Sequence, residues 1–156
     1  MEIIKGDLVK AFIDGDVDVL IHQANCFHTF GSGIARQIRE KIPEAYQADL
    51  RTGKGSKAKL GMISYHIWQG PYPKAVFNLY GQYAFGGAGT NTNYKALTEG
   101  LVRVRDMVNC MEMVTGEQMV VGLPRIGCGL GGGDWSIVSV MIQDILGDKD
   151  VVIYEF

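Results

Sequence analysis

A chain of 156 residues, 47% apolar and 21% charged, has the length of one domain and the composition of an ordinary globular protein. Its formal net charge of −2 lacks the basic excess of a dedicated nucleic-acid binder, and no apolar run nears the ~20 residues of a membrane span. The opening MEIIKGDLVKAFIDG meets acids before a signal-peptide core can form, and Cys26, Cys110 and Cys128 are too scattered for a metal site, so a cytoplasmic chain with reduced thiols is expected.

Glu2 to Lys5 and Val17 to Ala24 read as strands, the second a nearly continuous apolar run fit for burial. Gly31-Ser32-Gly33 then precedes a helix with Ile34, Ile38 and Ile42 at helical spacing. Pro43 opens a short second helix through Leu50, since proline suits a first helical turn. The basic stretch Arg51 to Gly61 is broken by glycines and reads as a solvated loop. Gly61 to Trp68 and Ala75 to Tyr80 are two more strands around a GPYP turn. A glycine-rich loop from Gly81 to Asn93 ends in capping residues. The helix that follows runs from about Tyr94 to Met113, with Tyr94, Leu97, Leu101, Val104, Val108 and Met111 on one face. QMVVGL is a further strand, and Asp134 caps a helix that turns Trp135, Val138, Met141, Ile142 and Ile145 inward. DVVIYEF closes the chain as a strand. Strands alternating with helices over residues 1–156 predict a single α/β domain.

Two glycine loops, Asn25 to Gly33 and Pro124 to Gly133, each carry a strand into a helix. Ligands of open α/β sheets sit beyond the carboxyl ends of strands, where helix N-termini offer unpaired N–H donors. Glycines let such backbone approach an anion and form a nest, so two loops suit a diphosphate held from two sides. Gly127-x-Gly129-x-x-Gly132 matches the dinucleotide fingerprint in letters only. That fingerprint should open a βαβ unit, whereas one helix and one strand remain here, and no P-loop is present. His22 and Asn25, three apart at a strand end, can both face the site; from the residues alone His22 reads first as a core histidine with one satisfied nitrogen, and second as an acid, base or nucleophile. Cys128 is explained as a small residue in a tight loop and Asp134 as a cap; His28 and His66 are not singled out.

Together these residues resemble the macro domain, the ADP-ribose-binding module, along essentially the whole chain. Gly6-Asp7-Leu8 is similar to the family's GD[IL] opening, and Leu20 to Asn25 to its VNAAN strand end. Gly31-Ser32-Gly33-Ile34-Ala35 resembles GGGVA, and Pro124 to Gly129 resembles P-x-[IL]-[GS]-x-G. The branch most similar contains the terminal ADP-ribose glycohydrolase and the fungal ADP-ribose-1″-phosphate phosphatase. Phe85-Gly86-Gly87, His22 and the Ile153-Tyr154-Glu155-Phe156 tail match the phosphatase side. Gln82 and Gly131 stand where the glycohydrolase uses a lysine and an aspartate.

The resemblance implies a three-layer α/β/α fold, with a central mixed, mostly parallel sheet and helices on both faces. It implies that Asp7 and Leu8 meet adenine, with Tyr154 or Phe156 near the ring. Gly31, Ser32, Gly33 and Ile34 would hold the diphosphate together with Ile126, Gly127, Cys128, Gly129 and Leu130. Asn25 would orient the distal ribose and His22 would act on it. The expected activity is hydrolysis of ADP-ribose-1″-phosphate by a monomer without metal or cofactor. The alternatives are removal of ADP-ribose from protein or nucleic acid, and non-catalytic reading of ADP-ribose.

Overall fold

The computed structural model describes residues 1–86 and 91–156. Its strands are β1 (Glu2–Lys5), β2 (Val19–Ala24), β3 (Ile63–Trp68), β4 (Lys74–Tyr80), β5 (Val120–Leu123) and β6 (Asp150–Glu155). Its helices are α1 (Leu8–Asp14), α2 (Gly33–Lys41), α3 (Pro43–Leu50), α4 (Tyr94–Thr115) and α5 (Trp135–Leu146). The six strands form one sheet in the order β1-β6-β5-β2-β4-β3. Every pairing is parallel except β3 with β4, which are joined by the short GPYP turn.

Strand parity decides which side each residue serves. Val19 and Ile21 of β2 pack with Leu97, Leu101, Val104 and Val108 of α4 and with Val138 and Ile142 of α5. Leu20 and Ala24 pack on the other side with Leu8, Val9 and Phe12 of α1, Ile38 of α2 and Ala45 of α3. The expected three-layer architecture is therefore present, with two helices over one face and three over the other.

The structure adds α1, which the sequence reading left unassigned. It is seven residues long, with the Asp7 carboxylate accepting from Lys10 N–H (3.1 Å) and Gly15 closing it at φ 90°. Left-handed backbone at a helix end favours glycine because no Cβ clashes there. Asn93 caps α4 by accepting from Ala96 N–H (3.0 Å), and Gly116 ends it at φ 71°. Asp134 caps α5 as expected, accepting from Ser136 N–H (2.9 Å) and Ser136 O–H (2.7 Å). These contacts hold its carboxyl below the usual range. No helix among the described residues is long and apolar enough to cross a membrane.

Candidate functional site

Five strands are parallel, so their carboxyl ends share one edge of the sheet. Along it come, in order, Asp7-Leu8 after β1, Tyr154 to Phe156 at the end of β6, the Pro124 loop after β5, the Asn25 loop after β2, and Gly81-Gln82 after β4. Four strand spacings make this edge about 19 Å long, the length of an extended nucleotide rather than of a compact metabolite.

Each glycine loop presents open backbone donors. In the first, Gly31, Ser32, Gly33, Ile34 and Ala35 donate to no acceptor among the described residues; the first helical bond is Arg36 N–H to Ser32 C=O (3.3 Å). Ser32 sits at the N-cap of α2 without capping it through its side chain, and Gly33 takes φ 57°. In the second, Gly127, Gly129, Leu130 and Gly131 likewise keep N–H groups unengaged among the described residues. Gly127 is turned to φ 73°, and its carbonyl is tied down by Gly133 N–H (2.7 Å) and the Thr92 hydroxyl (2.7 Å). Ile126 is buried as the anchor of this loop, and Leu130 is 76% exposed at its tip. A Cβ built on Gly33 would lie 4.0 Å from Leu130 Cδ1, so the two loops meet across the edge. Two sets of open N–H donors at helix and turn N-termini have the chemistry that an anion needs, without a lysine or arginine.

At the β1 and β6 end, Gly6 N–H donates to Glu155 C=O (2.7 Å) and Tyr154 packs over Gly6. Leu8 is buried beside Gly122, Asp7 is half-buried, and Phe156 is 93% exposed. Burial lifts the Tyr154 phenol above its ordinary range. Arg125 pairs with Glu155 and lies over the Trp135 ring, which fastens this end to the second loop.

Asn25 does not offer its amide freely. Its Oδ1 accepts from Phe27 N–H (2.9 Å) and its Nδ2 donates to Thr29 C=O (2.9 Å), so the side chain braces its own loop. Cys128 is half-buried, and burial raises its thiol, which fits a packing role and not a nucleophile.

His22 is a correction. The resemblance makes it the group that acts on the ribose; the structure puts it on the parity that faces α1 to α3, with no exposed surface, as the core-histidine reading of the residues has it. Its Nε2 contacts Asn78 Oδ1 (2.6 Å) and its ring meets Phe30 edge-on at 5.3 Å. Burial drives its pKa down to about 4, against the opposing Asn78 contact. A neutral imidazole sealed in the core cannot reach a ligand.

Beneath the first loop runs a polar chain that the sequence did not reveal. From His22 and Asn78 it passes to Ser64 (3.0 Å), from Ser64 to the Tyr80 hydroxyl (2.7 Å), and from Tyr80 to Asp49 Oδ1 (2.6 Å). Asp49 Oδ2 then meets His28 Nδ1 (2.9 Å). Burial and the neighbouring Asp49 push the Tyr80 phenol up, so it remains a donor. Lys59 lies over the Tyr80 ring at 4.6 Å, its pKa lowered by burial. The available signal was Asp49 itself, an acid at the inward spacing after Ala45 in α3.

On the opposite side of β2, Gln23 donates to Gln82 (2.7 Å) and Thr92 (3.0 Å). Gln82 is thus occupied. Gly131 is packed so closely that a Cβ there would sit 2.5 Å from the Thr92 hydroxyl and 2.8 Å from Gly127 C=O. Gly87 of the Phe85-Gly86-Gly87 match lies outside the described residues. Among the described residues no group of histidines, cysteines and acids could hold a metal. A depression of about 670 Å³ lined by Arg105, Asp106, Gln143 and Asp148 lies at the amino ends of the strands and away from both loops.

A six-stranded, mostly parallel sheet between helical layers, with two glycine loops meeting over the strand ends, defines a three-layer α/β module. The comparisons narrow the class. No family model matches the chain. It is 33% identical to an uncharacterised 17.5 kDa protein of Enterobacteria phage T4, across 98% of this chain and 94% of that one. It is 29% identical to the DNA ADP-ribosyl glycohydrolase of Mycobacterium tuberculosis, across 96% of this chain but only 40% of that protein's length. Among solved structures, the macrodomain of Thermus aquaticus DarG superposes with a TM-score of 0.72 at 25% identity, covering 99% of this chain and 97% of the other. The chain belongs to the macro domain family.

Proposed function

We propose that the protein binds ADP-ribose along the strand-end groove and hydrolyses a bond on its distal ribose, with ADP-ribose-1″-phosphate as substrate. The observation that carries this reading is the pair of facing N–H sets in the two glycine loops, joined at Gly33 and Leu130. They suit a diphosphate in charge, and the approach of Gly33 to Leu130 brings the two sets together. Asp7 and Tyr154 lie at the adenine end and Asn25 shapes the wall at the ribose end. Backbone donors fixed in place also suit the developing charge on a transferring phosphate, because they need no reorganisation during reaction.

A second reading, removal of ADP-ribose from DNA, is favoured by the activity named for the mycobacterial relative. Against it stand Gln82 and Gly131. The first has an amide held by Gln23, and the second has no room for a side chain. The test gives the purified protein ADP-ribose in a calorimeter, then ADP-ribose-1″-phosphate and an ADP-ribosylated oligonucleotide in parallel. Heat with ADP-ribose and phosphate release are expected. The absence of binding heat sinks the whole reading, and oligonucleotide cleavage without phosphate release replaces the first substrate with the second.

A further inference from the structure

We infer that His28, oriented by buried Asp49, is the proton-transfer group of this site; the inference rests on the proposed hydrolysis at the distal ribose. Three independent features converge on it. First, His28 is the one non-glycine residue among the described residues with left-handed backbone, at φ 62°. A side chain in that region is disfavoured, and such positions gather at functional sites. Secondly, its partner Asp49 has a completely buried carboxylate, held from the other side by the Tyr80 hydroxyl at 2.6 Å. A carboxylate fixed twice fixes the imidazole in turn, with the proton on Nδ1 and the lone pair on Nε2. Thirdly, Nε2 has no partner among the described residues and is not sealed from solvent.

The position fits the role. His28 lies three residues after Asn25 and three before Gly31, inside the loop whose N–H groups are open. Asn25 pins that loop on both sides of it through Phe27 and Thr29, and the Tyr46 hydroxyl donates to the His28 carbonyl (3.4 Å). Asp49 from α3 faces His28, and Lys59, from the turn before β3, interacts in turn with Asp49. A buried acid that orients a histidine whose far nitrogen meets the substrate is the arrangement of acid–base catalysis in hydrolases. In the step, Nε2 takes a proton from a water. The water oxygen bonds to phosphorus, the bond from phosphorus to O1″ breaks, and the imidazolium returns the proton to O1″. Phosphate leaves carrying the water's second hydrogen. Asp49 acts through His28 and is a positioning residue.

His28→Gly is the decisive variant, because glycine accepts the left-handed backbone and removes only the ring. We expect ADP-ribose binding to persist, phosphate release to fall about a hundredfold, and free imidazole to restore part of it. Asp49→Asn should lower kcat with little change in KM and displace the pH profile. Turnover surviving His28→Gly, or a loss that imidazole does not rescue, overturns the inference alone. Binding without any turnover by the wild-type protein sinks the proposed hydrolysis as well. A further readout is the His28 ring resonance, which should move when ADP-ribose-1″-phosphate is added; a ring that does not respond rules out contact with the substrate.

Discussion

The two glycine loops occupy equivalent places on neighbouring strands, yet they are built by opposite means. The Asn25 loop is held by side chains: Asn25 bonds Phe27 and Thr29, and His28 reaches Asp49. The Pro124 loop is held by the absence of side chains. Gly127 turns at φ 73°, Gly131 receives Asn91 and Thr92 N–H on its carbonyl (2.8 and 3.1 Å), and Gly133 bonds back to Gly127. The first loop should therefore fail when a hydrogen-bonding group is removed, the second when an atom is added at Gly127, Gly131 or Gly133. Function can be written into the first loop without disturbing the second, and it is in the first that His28 meets Asp49 of α3.

The largest effect should come from adding to the second loop. Gly131→Asp places a Cβ against Thr92, Gly127 and Gln23, and a carboxylate in a buried position without a cation. A destabilisation of about 4 kcal/mol is expected from overpacking together with an unpaired buried charge. Urea denaturation measures it, and a shift under about 1 kcal/mol would mean that the loop is not packed as described. Restoring the acid of the glycohydrolase should thus cost stability instead of conferring activity.

Next in size is a pH effect beneath the first loop. The folded pKa of His22 lies at about 4, below its ordinary value of 6.5. The unfolded chain therefore binds a proton between these values and the folded one does not. Stability from this residue is complete above about pH 6.5 and is lost as pH falls toward 4, by roughly 3 kcal/mol at most. His22→Gln keeps a polar partner for Asn78 but does not titrate. The difference between wild type and variant in urea midpoint should change between pH 7 and pH 4.5; a constant difference would place His22 outside the core.

How much of this was legible follows from the range of each contact. The helix α4 and its buried face, the Asp134 cap and both glycine loops were readable because each depends on neighbours a few residues apart. The helix α1 escaped notice because its seven residues carry less than two turns of pattern, although Asp7 and Gly15 mark its ends. His22 stayed open between core and site for a different reason. With helices on both faces of the sheet, the apolar run of β2 has no polar side to reveal its parity. The pair His28 and Asp49 spans 21 residues, and the contact of Gln23 with Thr92 spans 69. Nothing local announces the second, and only the inward place of Asp49 in α3 points to the first.

Asn25→Ala tests the other half of the comparison, at about 2 kcal/mol. It removes the acceptor of Phe27 N–H and the donor to Thr29 C=O in a residue only 7% exposed, and each lost bond is worth about 1 kcal/mol. Asn25→Asp, which keeps the acceptor, should recover half of the loss. If both variants fall equally, the donor to Thr29 is the one that matters.

The smallest change returns to the place where the loops touch. Gly33→Ala meets no clash, since the new Cβ would stand 4.0 Å from Leu130, but it must adopt φ 57°. The backbone strain should cost about 1 kcal/mol. It falls at the first residue of α2, whose N–H is one of the open donors, so ADP-ribose affinity should fall more than stability does. Gly129→Ala serves as the control, because its Cβ meets nothing within 4 Å and its φ is not left-handed. Equal losses of affinity in the two variants would mean that the loops sense added bulk; a loss confined to Gly33→Ala would mean that the ligand reads the geometry of the α2 N-terminus, and that the first loop, for all its side chains, still binds through its backbone.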